Sequence, residues 1–297
     1  MKTQGQFQSS VDHRKDRARL LISCPDRPGI VAAISSFLSE NQANIVQSDQ
    51  YTMDPDGGMF FIRIEFDLPD LEQKLPDLEQ RFQSIAAQFQ MKYRFSVAAK
   101  KKKLAIFVSK EDHCLLELLW QWQAGDLYAD IELVVSNHTI MKELVESFGI
   151  PFYHVPVTPE TKREAEEKQL ELVQGKVDTI ILARYMQIIS PQFLQHYPNR
   201  IINIHHSFLP AFVGGKPYAQ AYERGVKLIG ATAHYVTEEL DGGPIIEQDV
   251  QRVSHRDDVN SLKRIGRHIE RIVLARAVQW HCEDRILVHQ NKTVVFV

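Results

Sequence analysis

Asn203, His205 and Asp241 are the residues whose types and spacing could do chemistry. Asn203 and His205 are two positions apart at the end of the apolar run RIINIHH, so on an extended strand both side chains point to the same side. Asp241 lies in the glycine-flanked turn EELDGG, where its carboxylate could approach an imidazole closely. An amide donates to an oxyanion, an imidazole moves protons, and a carboxylate orients the imidazole. The three together predict an acyl-transfer site that requires no serine or cysteine nucleophile.

Other interpretations of these residues stay open. Each of the three is common as a structural residue that bonds to backbone at a strand end or in a turn. A metal site would use His205, His206, His234 and Asp241, but adjacent histidines on a strand face opposite ways and no HExxH pattern is present. We therefore predict no metal. Cys114 follows a histidine, but neighbours in a helix do not face each other, so we expect Cys114 to be a buried small residue.

Alternating apolar runs and helical stretches must position this site. From Leu104 onward the apolar runs are LAIFVS, IELVVSN, IPFYHVPV, VDTIILARY and RIINIHH. Strands that alternate with helices of ten or more residues predict an α/β domain with a mostly parallel sheet. Chemistry in such sheets gathers beyond the carboxyl ends of the strands, where Asn203 and His205 fall. A long amphipathic helix and a hairpin around Asn291 complete the predicted domain.

An N-terminal module precedes this domain. Strand, helix, two strands, helix and strand are predicted in that order for ARLLISC, IVAAISSFLSEN, QANIVQSDQYT, MFFIRIEF, LEQKLPDLEQRFQSIAAQF and QMKYRFSVA. The order β-α-β-β-α-β is the ferredoxin-like unit. Pro76 should make the second helix start late or bend. The boundaries that follow are a tail at 1–16, the first domain at 17–99, a lysine-rich linker at 100–103 and the second domain at 104–297.

Composition limits the classes of partner. A net charge of -3 lacks the basic excess of a duplex-binding surface, so we expect no nucleic acid. No apolar run approaches the ~18 residues of a membrane helix, so we expect no membrane partner. The 3 cysteines are far apart and form no metal-spaced pair, which favours a reduced, cytoplasmic protein.

The motif NIHHSFLPAF, followed by the late Asp of ELDGGPI, resembles the active site of the folate-dependent formyltransferase family. In that family an Asn-x-His pair and the Asp act on the formyl group of 10-formyltetrahydrofolate. The resemblance implies these roles for Asn203, His205 and Asp241, a Rossmann-like fold and a folate substrate. It also implies that ILARYMQIIS lines the pterin pocket, and His234 could help to position the same group. The implied substrate-binding residues are Met186, Gln187, Ile188, Ile189 and His234.

The N-terminal module resembles an ACT domain, a family whose members often bind amino acids and pair between subunits. Two segments of that family frame a small-ligand site: the loop after the first strand and the start of the second strand. The matching residues are Asp26, Pro28, Gly29, Ile30, Asn44 and Ile45. The resemblance implies an amino-acid effector and a homo-oligomer. Glycine and methionine are the candidates, because one-carbon metabolism connects both to folate.

The acceptor of the formyl group decides the reaction. Glycinamide ribonucleotide transferases hold the acceptor phosphate in a glycine-rich loop at a helix N-terminus. The corresponding stretch VSKEDHCLLELL has no glycine and carries Glu111 and Asp112, which repel phosphate, with Lys110 offsetting part of this. Water is therefore the predicted acceptor, with no permanently bound cofactor, and the products are formate, for purine synthesis, and tetrahydrofolate. Transfer to an amine is the alternative, and a non-catalytic regulator that senses folate comes third.

Overall fold

The computed structural model describes residues 14–54, 57–211 and 217–297. Most of the predicted tail and two residues of the turn DPDGG lie outside these ranges. The chain divides into two compact units. The first unit comprises the chain up to Lys101 together with Glu283–Leu287 and Val294–Val297, and the second comprises Lys102–Cys282 and Val288–Thr293. Lys102 and Lys103, which were expected in a linker, already belong to a strand of the second unit.

The first unit has the predicted β-α-β-β-α-β order. Its elements are β1 (Arg17–Pro25), α1 (Ile30–Glu40), β2 (Asn44–Thr52), β3 (Met59–Asp67), α2 (Leu71–Phe89) and β4 (Lys92–Val97). The four strands form one antiparallel sheet in the order β2-β3-β1-β4. Phe82 on α2 is fully buried and meets Phe37 and Tyr93 edge to face, with ring centroids 5.1 and 4.9 Å away. These aromatic contacts tie both helices to the sheet.

Helix α2 begins before Pro76, so the expected late start is wrong. The helix runs from Leu71 and includes Pro76 in its second turn. A proline there leaves the carbonyl of Glu72 without its helical partner. Glu72 is exposed, so water can bond to that carbonyl, which explains why the helix tolerates the proline.

The second unit contains a seven-stranded sheet. Its elements are β5 (Lys102–Val108), α3 (His113–Ala124), β6 (Ala129–Ser136), α4 (Lys142–Ser147), β7 (Phe152–His154), α5 (Lys162–Val173), β8 (Thr179–Ala183), α6 (Pro191–Leu194), β9 (Ile201–His205), α7 (Pro217–Glu223), β10 (Leu228–Tyr235), β11 (Ile245–Arg252) and α8 (Val259–Cys282). The sheet order is β11-β10-β9-β8-β5-β6-β7. Strands β5 to β9 pair in parallel, and β10 pairs antiparallel with both of its neighbours, β9 and β11. The strand order reverses between β5 and β8, which is where open α/β sheets bind ligands.

The chain ends in the predicted hairpin, formed by β12 (Ile286–His289) and β13 (Lys292–Val295). The residues at both outer ends of the hairpin, Glu283–Leu287 and Val294–Val297, belong to the first unit. In that unit the side chain of Arg63 is only 1% exposed and needs hydrogen-bond acceptors. Arg63 donates to the carbonyls of Asp284 and Glu283 at 3.0 and 3.2 Å. The Asp284 carboxylate accepts from Arg94 at 2.7 Å and Ser96 at 2.8 Å. These last residues therefore complete the first unit, although the sequence pattern predicts all of them in the second domain.

Among the described residues, no helix combines the length and the apolarity that a membrane crossing requires.

Candidate active site

Strands β9 and β10 bring three of the predicted site residues to one face. In this antiparallel pair His234 lies opposite Asn203, and Thr232 lies opposite His205. Directly opposed residues project to the same side of a sheet, as do residues two apart on one strand. Asn203, His205 and His234 therefore share a side, at the end of the sheet where β9 terminates.

Asp241 approaches this group from the turn after β10. Its Oδ2 lies 3.3 Å from Nδ1 of His205, and its Oδ1 lies 3.8 Å from Nε2 of His234. Asp241 has a φ of 55°, a left-handed conformation that is uncommon for residues other than glycine and is enriched at functional sites. Its side chain is 8% exposed, so the carboxylate is largely removed from water. The turn thus holds a buried negative charge between two imidazoles.

His234 orients the amide of Asn203. Nδ1 of His234 lies 3.0 Å from the carbonyl oxygen of Tyr235, which can only accept, so Nδ1 carries a proton. Burial lowers the pKa of His234, which favours the neutral ring. Nε2 is then an acceptor, and Nδ2 of Asn203 donates to it at 3.2 Å. One N–H of the amide is fixed on His234, and the second is available to another acceptor.

His206 lies just beyond β9, so the alternation expected on a strand does not separate it from His205. Both residues line the same cavity, and their ring centroids are 5.3 Å apart. Burial, followed by the positive charge of Arg184, lowers the pKa of His206 to about 3. His206 is therefore a neutral ring near pH 7.

The cavity at this site has a volume of about 240 Å³, and every predicted catalytic and substrate-binding residue lines it. Met186, Gln187, Ile188 and Ile189 lie along its wall; Met186 and Ile188 are exposed, whereas Ile189 is buried. The backbone N–H of Met186 donates to Oγ of Ser109 at 3.0 Å, and Ser109 donates to Oδ1 of Asn137 at 2.7 Å. This chain of bonds fixes the segment after β8 to the ends of β5 and β6.

The residues predicted to frame an effector site do not come together within one chain. Pro25 at the end of β1 pairs with Met59, and the N–H of Asp26 donates to Gly58 at 2.8 Å. Asn44 pairs with Asp67, at the other end of β3. The two groups are therefore separated by most of a strand, roughly 26 Å at ~3.3 Å per residue. In the first group Pro28 and Gly29 are exposed and Ile30 is buried, and in the second Asn44 and Ile45 are exposed.

A buried ionic network near the cavity was not predicted. Glu270 on α8 is 1% exposed; one of its oxygens accepts from Tyr218 at 2.5 Å, and the other lies 2.8 Å from Nε2 of His113 and 3.3 Å from Nε of Arg184. Burial alone would raise the pKa of Glu270, but the hydrogen bond from His113 and the charge of Arg184 lower it to about 2. A carboxylate between apolar residues of an amphipathic helix is the sequence signal that could have revealed it.

Cys114 belongs to the same buried region but does not have the character of a nucleophile. Its thiol is fully buried, and burial raises its pKa well above the usual value. Ligand atoms of His113, Cys114 and Glu270 lie within 4.8 Å of one another, close enough to hold a metal ion. The guanidinium beside Glu270 opposes a second cation there, and a protonated thiol is a poor ligand.

Comparison with known proteins identifies both units. Residues 102–278 match the family model described as formyl transferase, and residues 18–83 match the ACT domain. The chain is 59% identical over 286 residues to the formyltetrahydrofolate deformylase of Bacillus subtilis (strain 168), covering 96% of this chain and 95% of that protein. Both predicted family resemblances are confirmed.

Solved structures give the same result. The crystal structure of a formyltetrahydrofolate deformylase from Pseudomonas syringae pv. tomato has a TM-score of 0.91 and 48% identity, covering 99% of each chain. Glycinamide ribonucleotide transformylase 1 from Symbiobacterium toebii has a TM-score of 0.63 and 28% identity, covering 66% of this chain and 95% of that one. The similarity to the transformylase is therefore partial, whereas the similarity to the deformylase extends over both units.

Proposed function

The chain belongs to the formyltetrahydrofolate deformylase family, and we propose that it hydrolyses 10-formyltetrahydrofolate to formate and tetrahydrofolate. The observation that carries the proposal is the pair formed by His205 and Asp241, 3.3 Å apart, which lines one cavity with Asn203. An imidazole, a carboxylate and an amide N–H are sufficient for acyl transfer to water.

In the proposed mechanism a water oxygen bonds to the formyl carbon, and the carbonyl oxygen becomes an oxyanion. Asp241 orients His205 and the attacking water, and His205 transfers the proton or stabilises the developing charge. The second N–H of Asn203 donates to the oxyanion, while His234 holds the first. Collapse of the intermediate breaks the bond from carbon to N10, which takes up a proton. Formic acid then loses its own proton, so the products are formate and tetrahydrofolate.

Hydrolysis is favoured over transfer by the charges before α3. Glu111 pairs with Arg267 on α8 at 2.8 Å, and Asp112 occupies the position immediately before the helix. Arg267 offsets the charge of Glu111, but the carboxylate of Asp112 interacts favourably with the helix dipole and repels the phosphate of an acceptor nucleotide. Transfer of the formyl group to an amine is the second candidate function.

Turnover without an acceptor tests the proposal. We expect the full chain to release formate and tetrahydrofolate in equal amounts from 10-formyltetrahydrofolate in a buffer free of amines. The measurement follows formate with a coupled dehydrogenase and tetrahydrofolate by absorbance, against a sample without enzyme. Addition of glycinamide ribonucleotide should leave the rate unchanged. If tetrahydrofolate is released only after an amine is added, and no formate is released with it, the chain is not a hydrolase but a transferase.

We also propose an amino-acid effector at the first unit, and a homo-oligomer. The ACT match supports the effector class. Asp26 and Asn44 lie at opposite ends of one sheet, so two copies would have to contribute for these segments to frame one site. Addition of glycine or methionine is expected to change turnover, and light scattering should give a mass above one chain. A monomer whose rate ignores both amino acids would rule this regulation out.

Water is the only co-substrate of the proposed reaction, so no step requires a bound cofactor. Cys24, Cys114 and Cys282 are buried and form no disulfide in the described part of the chain, which fits a reducing compartment. The cytoplasmic location stays a prediction.

A further inference from the structure

Arg184 occupies a strained position beside the reacting groups. It directly follows β8 at the point where the strand order reverses, and it lines the cavity that contains Asn203 and His205. Its φ is 61°, and its backbone N–H donates to the carbonyl of Leu182 at 3.1 Å. A left-handed conformation is costly for a long side chain and persists only where the surroundings impose it. The turn after β8 therefore fixes this arginine at the cavity.

The guanidinium of Arg184 is buried with unused donors. Its side chain is 12% exposed, and Nε lies 3.3 Å from Oε2 of Glu270. Nε and Nη1 of Arg184 are both buried, and neither has a hydrogen-bond partner among the residues that the structure describes. Buried N–H groups without acceptors are unfavourable, and most in folded proteins find one. Arg184 therefore has capacity for an additional acceptor.

Glu270 neutralises this guanidinium without satisfying its donors. The carboxylate already accepts from Tyr218 through one oxygen and contacts His113 through the other. Gly266, one turn earlier on α8, leaves the space that the hydroxyl of Tyr218 fills, since a Cβ there would overlap it. Glu270 is consequently held from two sides and acts as a positioning residue for Arg184.

We propose that Arg184 binds the carboxylate of formate, the anion that the reaction releases in this cavity. The inference rests on the proposed hydrolysis, which supplies formate as the product. The planar fork of a guanidinium matches a carboxylate through two N–H groups, and formate is the smallest carboxylate. The formyl group of the substrate is neutral, so this contact strengthens as the negative charge of the product forms. Competition from Glu270 keeps the binding weak enough for formate to leave.

Binding of formate to the folate-free full chain tests the inference, with ¹³C-labelled formate as the probe and NMR line broadening as the readout. We expect saturable binding by the parent and affinity about 10- to 100-fold lower in Arg184→Met, the effect of losing charge-assisted hydrogen bonds. Arg184→Lys keeps the charge but loses the fork, and should lie between them. Arg267→Met is the matched control, because Arg267 is also an ion-paired arginine but is 54% exposed on α8, and its affinity should equal that of the parent. Formamide, which is neutral and of similar size, should not bind measurably to the parent or to any of the variants.

Arg184→Met leaves Glu270 without its cation, so the double variant Arg184→Met with Glu270→Gln is measured beside it, and circular dichroism checks that both are folded. The inference is wrong if either folded variant binds formate within about twofold of the parent, a difference worth less than the loss of one hydrogen bond. It is equally wrong if the parent does not bind formate.

Acceptor-free turnover on the same preparation separates the two proposals. A chain that hydrolyses the substrate but does not bind formate contradicts only this inference. Binding through Arg184 without hydrolysis contradicts only the proposed function.

Discussion

Asp241→Asn is expected to lower acceptor-free turnover of 10-formyltetrahydrofolate by about 10²–10⁴-fold, the range for loss of a positioned acid–base system. Asparagine keeps the shape of the side chain but removes the charge that lies 3.3 Å from His205 and 3.8 Å from His234. The imidazole then loses both its orientation and the partner for its cationic form. KM should change little, because the residues proposed to bind the pterin, Met186 to Ile189, form a different part of the cavity wall from Asp241.

The measurement is kcat and KM for the parent and the variant, from the release of formate. Glu239→Gln is the matched control, since it removes an exposed carboxylate from the same turn. It should retain the kcat of the parent. A kcat of Asp241→Asn within about fivefold of the parent, below the smallest effect expected of a catalytic acid–base, would reduce Asp241 to a turn residue.

Glu270→Ala is expected to lower the free energy of unfolding of the second unit by about 3–5 kcal/mol, because it leaves the buried Arg184 without a counter-charge. It also removes the acceptor of Tyr218 and the partner of His113. Urea unfolding followed by tryptophan fluorescence measures this, since Trp120, Trp122 and Trp280 all lie in the second unit.

The difference between Glu270→Ala and the parent should depend on pH. The pKa of Glu270 is lowered to about 2 in the folded protein, against the usual carboxyl value near 4.5. Its stabilisation is therefore complete above about pH 4.5 and is lost progressively as the pH falls towards 2. Glu111→Ala is the control, because its pair with Arg267 is exposed and exposed pairs contribute about 0–1 kcal/mol. Equal destabilisation by both variants would show that the buried network adds nothing beyond a surface pair.

Local patterns account for the parts of the fold and site that the sequence predicted. The two-residue spacing of Asn203 and His205 is sufficient to place both on one side of β9, and the glycines after Asp241 indicate a tight turn. The alternation of strands with helices likewise specified the mostly parallel sheet. His234 needed one further fact, the antiparallel register of β9 and β10, before its contact with Asn203 could be known.

Long-range contacts account for what the sequence did not predict. Arg184, Tyr218 and Glu270 come from three separate segments of the chain, and no short motif relates them. Their approach depends on how α8 packs on the sheet, which hydrophobic periodicity does not specify. The same limit explains why the sequence did not predict that the last residues join the first unit. In the sequence Asp284 has the character of an ordinary turn residue, and its contact with Arg94 at 2.7 Å is evident only in the fold.

The hydrogen bonds of Arg63 to the end of the chain determine which parts of the gene encode the ACT unit. A protease cut or a split of the gene after Lys101 would leave its guanidinium buried on one polypeptide and its carbonyl acceptors, at Glu283 and Asp284, on another. A fragment that ends there is an incomplete fold that requires the C-terminal peptide in trans. The ACT unit is therefore encoded by two separate parts of the gene, and its transfer to another protein would have to include the coding sequence for Glu283 and Asp284.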